Sequence, residues 1–462
     1  MRVLFVNFNN KMSQSKDFLI RLKEQQNVTN LACMANLIIN EHHSAKISDY
    51  DIENLANEQI LKDFEAYKPH VIVAHVEYSN LKEHLGCLKH VHEHNNSVKI
   101  IVHSNYLYNL DSEELCNFNL DCVDAILREE PDDMLAKLLE ALFENYPIKK
   151  ISNVRYQTEG KNWKKTDSVF FNHLDMISVA YRKGLKNELY KSVTGDKPMA
   201  VIKVTRGSNS DCIYDNVKLL EGHKIRYRTP ESIAREVELC YKEYGITEFY
   251  LEAEDFNFLD WWAYDVAHAI RNTDTVGKIH WMTKIHLKEL NQEVVEQMQF
   301  AGFNLALLNL CSGAEETLKR ARLGVSSIDH YKKGIDILHK FGIRTYAIYK
   351  IGFPWETKKH ISETIKLIDG FNHTHLDFQI LSPIYNCAAV EIVQEAEKLG
   401  TLNDLQWSIT GTRYLKQKEL ESQYKQFIQK NKLFSKFKKE KVSENLYTLS
   451  DADKKAIKRK VK

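Results

Sequence analysis

The sequence predicts an α/β protein made of two successive parallel-sheet modules and a helical basic tail. Three observations predict it. Over residues 1–145, short apolar runs alternate with stretches of helical periodicity. A second alternation of six β–α units begins at Pro198 and runs to about Pro383. From Arg413 onward the chain carries 16 Lys/Arg against 6 Asp/Glu. Alternating β and α elements imply parallel strands joined by crossover helices, with both sheet faces covered. In such sheets ligands bind beyond the carboxyl ends of the strands.

In the first module, Val3–Asn7 is a short apolar strand and Leu31–Ile39 has helical spacing. Ala45–Ser48 is strand-like. Val71–Val76 and Val98–His103 are continuous apolar runs, the pattern of strands buried on both faces. Leu81–His94 and Asp132–Phe143 read as helices, the latter with Pro131 at its start. Cys122–Leu127 supplies another short strand. The strand ends carry Asn7–Asn10, Glu77–Asn80, His103–Tyr106 and the segment 128–130. Residues 146–197 are rich in turn formers and read as a linker with peripheral elements.

The second module, 198–400, predicts strands at Met199–Val204, Glu248–Leu251, Lys278–Met282, Leu305–Leu310, Arg344–Ile351 and Leu376–Leu381. Helices fall between them, at Pro230–Tyr244, Asn291–Ala301, Ala314–Leu323, Ser327–Phe341 and Thr357–Phe371. Gly245, Gly302 and Gly342 each follow a helix, where a left-handed cap suits glycine. Six units imply a partial (β/α) barrel. Residues 401–462 form a helical, lysine-rich extension. Its lysines, Lys425, Lys430, Lys432, Lys436 and Lys439 among them, suit one face of a helix. The body carries a net charge of −9 and the tail +10. The tail is therefore expected to hold a protein partner or an acidic surface, and to stand apart from a body that folds without residues beyond 412.

Composition excludes several classes. With 462 residues, 43% apolar and 27% charged, the chain is an ordinary globular one. No apolar run reaches 18 residues, and no signal peptide is expected. The eight cysteines form no C-x-x-C pair, which fits a reducing, cytoplasmic setting. No phosphate-binding loop, G-x-S-x-G or H-E-x-x-H is present, so hydrolase readings have no motif behind them. No membrane role is expected, and nucleic acid is not the expected partner.

The loop after the first strand of the second module reads T-R-G-S-N-S-D-C-I-Y-D-N over 205–216. Further on stand L-E-A-E-D-F-N-F (251–258), L-N-L-C-S-G-A-E-E-T-L-K-R-A-R-L-G (308–324), I-G-F-P-W-E-T (351–357) and L-S-P-I-Y (381–385). In order and spacing these resemble the cobalamin-dependent branch of the radical S-adenosylmethionine (SAM) superfamily. There the loop is R-G-C-P-x-x-C-x-F-C, and its three cysteines hold a four-iron cluster whose fourth iron binds SAM. The resemblance covers roughly residues 1–145 and 198–410. It implies a Rossmann-like, cobalamin-binding-like first domain and a six-unit partial barrel of radical SAM type. It also nominates Arg206, Gly207, Glu254, Asp255, Ser312, Gly352, His103 and Ser104 as cofactor-binding positions.

The departures carry as much weight. Aligned through Arg206-Gly207, the cysteine positions fall on Ser208, Cys212 and Asp215. Soft thiolates hold such clusters, and serine or aspartate replaces them poorly. No four-iron cluster is expected, and without it no reductive cleavage of SAM. Cys311 stands where the family has a glutamate, and Cys387 where it has a P-G-T turn. With Cys212 these two could form a relocated metal site, or all three could be small buried hydrophobes. Val102-His103-Ser104-Asn105 replaces a glycine-rich cobalamin turn, so cobalamin is expected to bind weakly or not at all. The expected function is that of a radical SAM/cobalamin-like pseudoenzyme partner, or a non-radical enzyme of a biosynthetic pathway. The alternatives are an active cobalamin-dependent SAM methyltransferase with an unusual cluster or none, and an interaction protein docking through its tail.

Overall fold

The computed structural model describes residues 1–430 except 13–17, 111, 129–133, 145, 159–161, 193–194, 214, 216, 325–326, 382–395, 397, 399–401, 404–407 and 410–411. The chain divides into two compact units. One is Met1–Ile202 with Leu239–Glu248, and the other is Lys203–Glu238 with Phe249–Lys462.

The first unit runs β1 (Arg2–Asn7), α1 (Phe18–Asn40), β2 (Ser44–Asp49), α2 (Gln59–Tyr67), β3 (Val71–His75), α3 (Leu81–His94), β4 (Lys99–His103), α4 (Asn105–Asn109), α5 (Ser112–Leu115), β5 (Ala125–Leu127), α6 (Met134–Phe143), β6 (Val154–Gln157) and β7 (Trp163–Lys165). The sheet order is β2-β1-β3-β4-β5-β6-β7. The first five strands are parallel, and β6 and β7 add antiparallel. Strand order reverses between β1 and β3, which marks the switch point of a doubly wound sheet. All five residues of β3 are buried, as the unbroken apolar run implied.

The first unit departs from the sequence reading most at β6–β7 and at α1. The segment read as a linker supplies β6 and β7. Buried Arg155 on β6 donates from Nε to the Tyr108 carbonyl (2.6 Å) and from a terminal nitrogen to the Leu110 carbonyl, tying the added strand to the end of α4. Helix α1 is 23 residues long, far more than Leu31–Ile39. Its first half buries Glu24, Gln25, Asn27 and Thr29 beside Leu22 and Val28. Polar residues on the inner face hid the apolar period there.

The second unit and its flanks run β8 (Met199–Lys203), β9 (Thr205–Arg206), α7 (Val217–Glu221), β10 (Arg226–Tyr227), α8 (Pro230–Tyr244), β11 (Glu248–Glu252), α9 (Asp260–Arg271), β12 (His280–Lys284), α10 (Gln292–Phe300), β13 (Phe303–Cys311), α11 (Glu315–Ala321), α12 (Ile328–Lys340), β14 (Arg344–Ile351), α13 (Lys358–Asp369) and β15 (His375–Ile380). The six-stranded sheet has the order β15-β14-β13-β12-β11-β8, the succession of an open six-unit array. From β12 to β15 the registers are parallel. Gly302 shows why that loop needs glycine. Its φ is +98°, and a Cβ there would sit 2.6 Å from the Ile279 carbonyl oxygen. Helix α9 was hidden by its double tryptophan. Trp262 is fully buried and donates to the Arg228 carbonyl at 2.8 Å, whereas Trp261 is 53% exposed and meets Tyr227 edge-on. Only one of the pair packs inside.

The C-terminal segment corrects an expectation. Helix Gln417–Lys430 is part of the second unit, not an appendage. Phe427 is buried with its ring 4.4 Å from that of Phe378 on β15, and Tyr424 stacks on the same ring. The Thr412 hydroxyl donates to the Glu356 carbonyl at 2.5 Å, and Arg413 N–H to the Pro354 carbonyl at 2.7 Å. An apolar stripe, not the lysines, decides where this helix goes. Lys432, Lys436 and Lys439 lie outside the described residues. Replacing a buried phenylalanine by alanine costs about 3–5 kcal/mol. Phe427→Ala should lower the denaturation midpoint accordingly. An unchanged midpoint in a urea titration would show that the helix contributes nothing to the body.

Candidate functional site

The carboxyl ends of the second sheet surround a cavity of about 970 Å³. Each strand end contributes. The loop after β9 supplies Gly207, Ser208, Cys212 and Asp215, and β11 is followed by Glu254 and Asp255. Lys284 and His286 come from the end of β12, Leu307, Asn309 and Leu310 from β13, Lys350 from β14, and Leu381 from just past β15. A space of this size accepts a ligand as large as a nucleoside derivative.

The loop is held by its own polar groups. Ser208 is buried, and its hydroxyl donates to Asp215 Oδ2 at 2.6 Å. The other carboxylate oxygen accepts from Val217 N–H at 2.8 Å, at the start of α7. Ser208 Oγ also accepts from Ser210 N–H, and Ser210 Oγ from Cys212 N–H. Gly207 has φ +85°, and a Cβ would come 2.2 Å from the Lys224 carbonyl oxygen. Its N–H donates to Glu221 at 2.9 Å. Lys203 lies between Glu221 (3.5 Å) and Glu252 (4.0 Å), so one lysine braces the loop and the end of β11.

Cys212 is buried and supplies the loop's single thiol. The donor set tests the cluster directly. Two of the three positions hold a hydroxyl and a carboxylate already bonded to each other, so the residues present do not fit a four-iron cluster. Among the described residues no group of three or more His, Cys, Asp or Glu is placed to hold a metal ion.

Beside the loop, Glu254 accepts from Lys284. Burial disfavours the Lys284 charge, but Glu254, Tyr250 and Glu252 together outweigh it and keep the ammonium above the ordinary lysine range. Burial raises the Asp255 carboxyl above the ordinary aspartate range, with His286 opposing and Glu254 reinforcing the shift. Asp255 Oδ1 is buried without a hydrogen-bond donor, so the carboxyl has capacity for a ligand hydroxyl or cation. His286 has none to spare. Its Nδ1 accepts from Lys288 N–H, which leaves Nε2 to face the Leu323 carbonyl.

Other nominated residues lie elsewhere. Arg206 sits on β9 opposite Arg226 of β10. Ser312, fully buried, bonds Thr364 Oγ1 at 3.1 Å and accepts from Ala314 N–H. Gly352 has φ +96° and donates to Glu356 Oε2 at 2.7 Å. Neither Ser312 nor Gly352 lines the cavity, and each organises a turn. Cys311 is fully buried with φ +62°, at a register shift between β13 and β14. It too is absent from the lining. Cys387 lies outside the described residues. In the first unit, His103 is buried at the end of β4 and shares a 3.1 Å contact with His75, while Ser104 caps α4. Reasoning from sequence missed Lys284 and Lys350. Their signal was a lysine ending an otherwise apolar strand.

Residues 202–368 match the Radical SAM superfamily. That segment contains the whole loop 205–216 and the turn 351–357. An uncharacterised methyltransferase of Pyrococcus horikoshii is 24% identical over 356 residues, which cover 76% of this chain and 75% of that protein. A tRNA-2-methylthio-N(6)-dimethylallyladenosine synthase of Shewanella baltica is 24% identical over 43% of this chain and 44% of its own length. The radical SAM methyltransferase TsrM of Kitasatospora setae, solved with tryptophan and a SAM analogue, superposes with TM-score 0.68 at 14% identity, over 86% of this chain and 76% of that one. The cobalamin-dependent SAM radical enzyme OxsB with aqua-cobalamin gives TM-score 0.65 at 14% identity, over 86% and 55%. The fold is therefore like that of these two solved structures, with a Rossmann-like unit before the segment that matches the Radical SAM superfamily. Among the described residues, no helix is long and apolar enough to cross a membrane.

Within that segment, Glu356 of I-G-F-P-W-E-T is fully buried and holds its turn from inside, accepting from Gly352 and Phe353 N–H and from the Thr317 hydroxyl. Burial raises its carboxyl to about 7, against the lowering effect of those donors. The folded state then binds a proton that the unfolded state has released, so stability is present at low pH and lost as pH rises toward 7. Each pKa unit corresponds to about 1.4 kcal/mol, so the loss amounts to about 3 kcal/mol. Glu356→Gln keeps an acceptor for the two backbone N–H groups and should flatten the melting temperature between pH 5 and 7. A variant with the wild-type slope would refute the assignment.

Proposed function

We propose that this protein keeps the frame of a cobalamin-dependent radical SAM enzyme but uses the mouth of its second sheet as a ligand site without an iron–sulfur cluster. It acts as a pseudoenzyme partner or as a non-radical enzyme of a biosynthetic pathway. The observation that carries this reading is the 2.6 Å hydrogen bond from Ser208 to Asp215. Atoms that would have to be iron ligands satisfy one another, and one thiol remains. The ligand is a small polar molecule, SAM included, and Asp255 would meet its cationic or hydroxyl group. Arg206 and Gly207 shape the loop, and Ser312 and Gly352 support the turns behind it. Cys212 serves as a buried hydrophobe, as does Cys311. The lysine-rich segment beyond the last described helix would dock a protein partner, in a salt-dependent way.

Cobalamin fits the first unit poorly. Where a glycine turn would let the corrin approach, Val102 and His103 are buried strand residues and Ser104 is engaged as a helix cap. A second reading, a working cobalamin-dependent SAM methyltransferase, draws support from the methyltransferase and methylthiotransferase relatives.

Two measurements separate the readings. After anaerobic reconstitution, iron analysis should find far fewer than four irons per chain, and Cys212→Ala should not change the count. About four irons, lost in Cys212→Ala, would establish the second reading instead. Equilibrium dialysis with hydroxocobalamin should show no stoichiometric micromolar binding, and finding it would contradict the account of the first unit.

A further inference from the structure

The switch point of the first sheet holds a buried polar network that the mouth of the second sheet does not use. Asn7 ends β1, Asp49 ends β2, Glu77 follows β3, and Glu24 comes from α1. All four cluster residues are largely or wholly enclosed. Asn7 is 0% exposed and Glu24 2%.

The supply of donors to each acid is unequal. Asp49 accepts from Asn7 Nδ2 (2.9 Å), Ile52 N–H (3.2 Å) and the Tyr190 hydroxyl (2.9 Å). Asp51 accepts from Met12 N–H at 3.0 Å. Glu77 faces Lys23 at 3.3 Å, His75 Nε2 at 3.1 Å and Asn27 Nδ2 at 2.9 Å. Among the described residues Glu24 receives a single donor, Asn7 Nδ2. Both N–H groups of that amide are then spent, one on Glu24 and one on Asp49. Two buried oxygens are left without donors, Asn7 Oδ1 and Glu24 Oε2. Flipping the amide is no remedy, because its oxygen would then face two carboxylates.

One proton resolves both defects. On Glu24 Oε2 it turns an acceptor into a donor, and Asn7 Oδ1 is the acceptor that lacks a partner. The pair then becomes a carboxylic acid–amide couple with both oxygens satisfied. We propose that Glu24 and Asn7 form a proton-operated latch: Glu24 is bound to the end of β1 as the acid, and release of its proton to solvent loosens the first half of α1 from the sheet. Ionised, Glu24 would present two acceptors to one amide, beside Asp49, Asp51 and Glu77. Lys23, the cation nearest in sequence, is already engaged with Glu77. Burial and those three neighbours all raise the Glu24 carboxyl well above the ordinary glutamate range, and only the Asn7 hydrogen bond opposes them. Asp49, pushed by burial to about 6, titrates with the same sign. The stability held by the latch is therefore present in acid and lost as pH rises through the raised Glu24 value.

Glu24→Gln isolates this contribution. The glutamine amide donates to Asn7 Oδ1 and its oxygen accepts from Asn7 Nδ2, so the variant mimics the acid at every pH. It should melt with the wild type at pH 5 and at least about 3 °C above it at pH 8. A variant that melts below the wild type by the same margin at both values would overturn the latch. Hydrogen exchange of the wild type gives an answer even if the variant does not fold. Protection of amides in residues 18–30, corrected for intrinsic exchange, should fall as pH rises from 5 to 8. Constant protection would also overturn the proposal. Magnesium or calcium chloride should leave melting at pH 8 unchanged. A rise in the wild type that is absent in Glu24→Gln would show that the oxygens hold a cation rather than a proton.

Discussion

The hydrogen bond from Ser208 to Asp215 is the contact on which the geometry of the loop at the second sheet's mouth depends. A loop that carries a cluster draws its rigidity from the metal its side chains share. Here a chain of protein groups braces the loop. The Ser208 hydroxyl fixes Asp215, Asp215 starts α7, Glu221 at the end of α7 accepts from Gly207, and Lys203 joins Glu221 to Glu252. The circuit links the loop, α7 and the ends of β8 and β11. A buried hydroxyl–carboxylate pair needs no iron to be satisfied, and opening it to admit iron would cost a charge-assisted bond.

The cavity beside the loop is intact and chemically uneven. Glu254 and Lys284 neutralise each other, and His286 is occupied by backbone groups on both nitrogens. Among the described lining residues, Asp255 has a buried oxygen to spare. A site of this kind binds and orients, and its specificity rests on one carboxyl and on the shape made by six strand ends. The chemistry to which the fold lends itself elsewhere is a property of the cofactor rather than of the sheet.

Much of this was legible in the sequence. Runs such as Val71–His75 and Met199–Lys203 announce buried parallel strands, and the ordered motifs place Gly207, Ser208, Cys212 and Asp215 on one loop. What stayed hidden follows from tertiary satisfaction of polar groups. The first half of α1 buries Glu24, Gln25 and Asn27, so its period looked polar. Ser312 and Gly352 carry motif positions yet brace turns behind the mouth, a distinction only hydrogen-bond partners reveal. The segment from Arg413 misled because its lysines dominate the composition, whereas Leu420 and Phe427 decide how the helix Gln417–Lys430 packs. Charge is loud in a sequence and weak in a fold; two buried apolar side chains outweigh several exposed lysines.

The central proposal is that Ser208, Cys212 and Asp215 hold no iron–sulfur cluster. Electron paramagnetic resonance of anaerobically reconstituted, dithionite-reduced protein tests it most directly, with the double variant Ser208→Cys, Asp215→Cys as the comparison that restores three thiols. The account predicts no cluster signal from the wild type under conditions in which the three-cysteine variant gives one. A reduced four-iron spectrum from the wild type, abolished by Cys212→Ala, would contradict it.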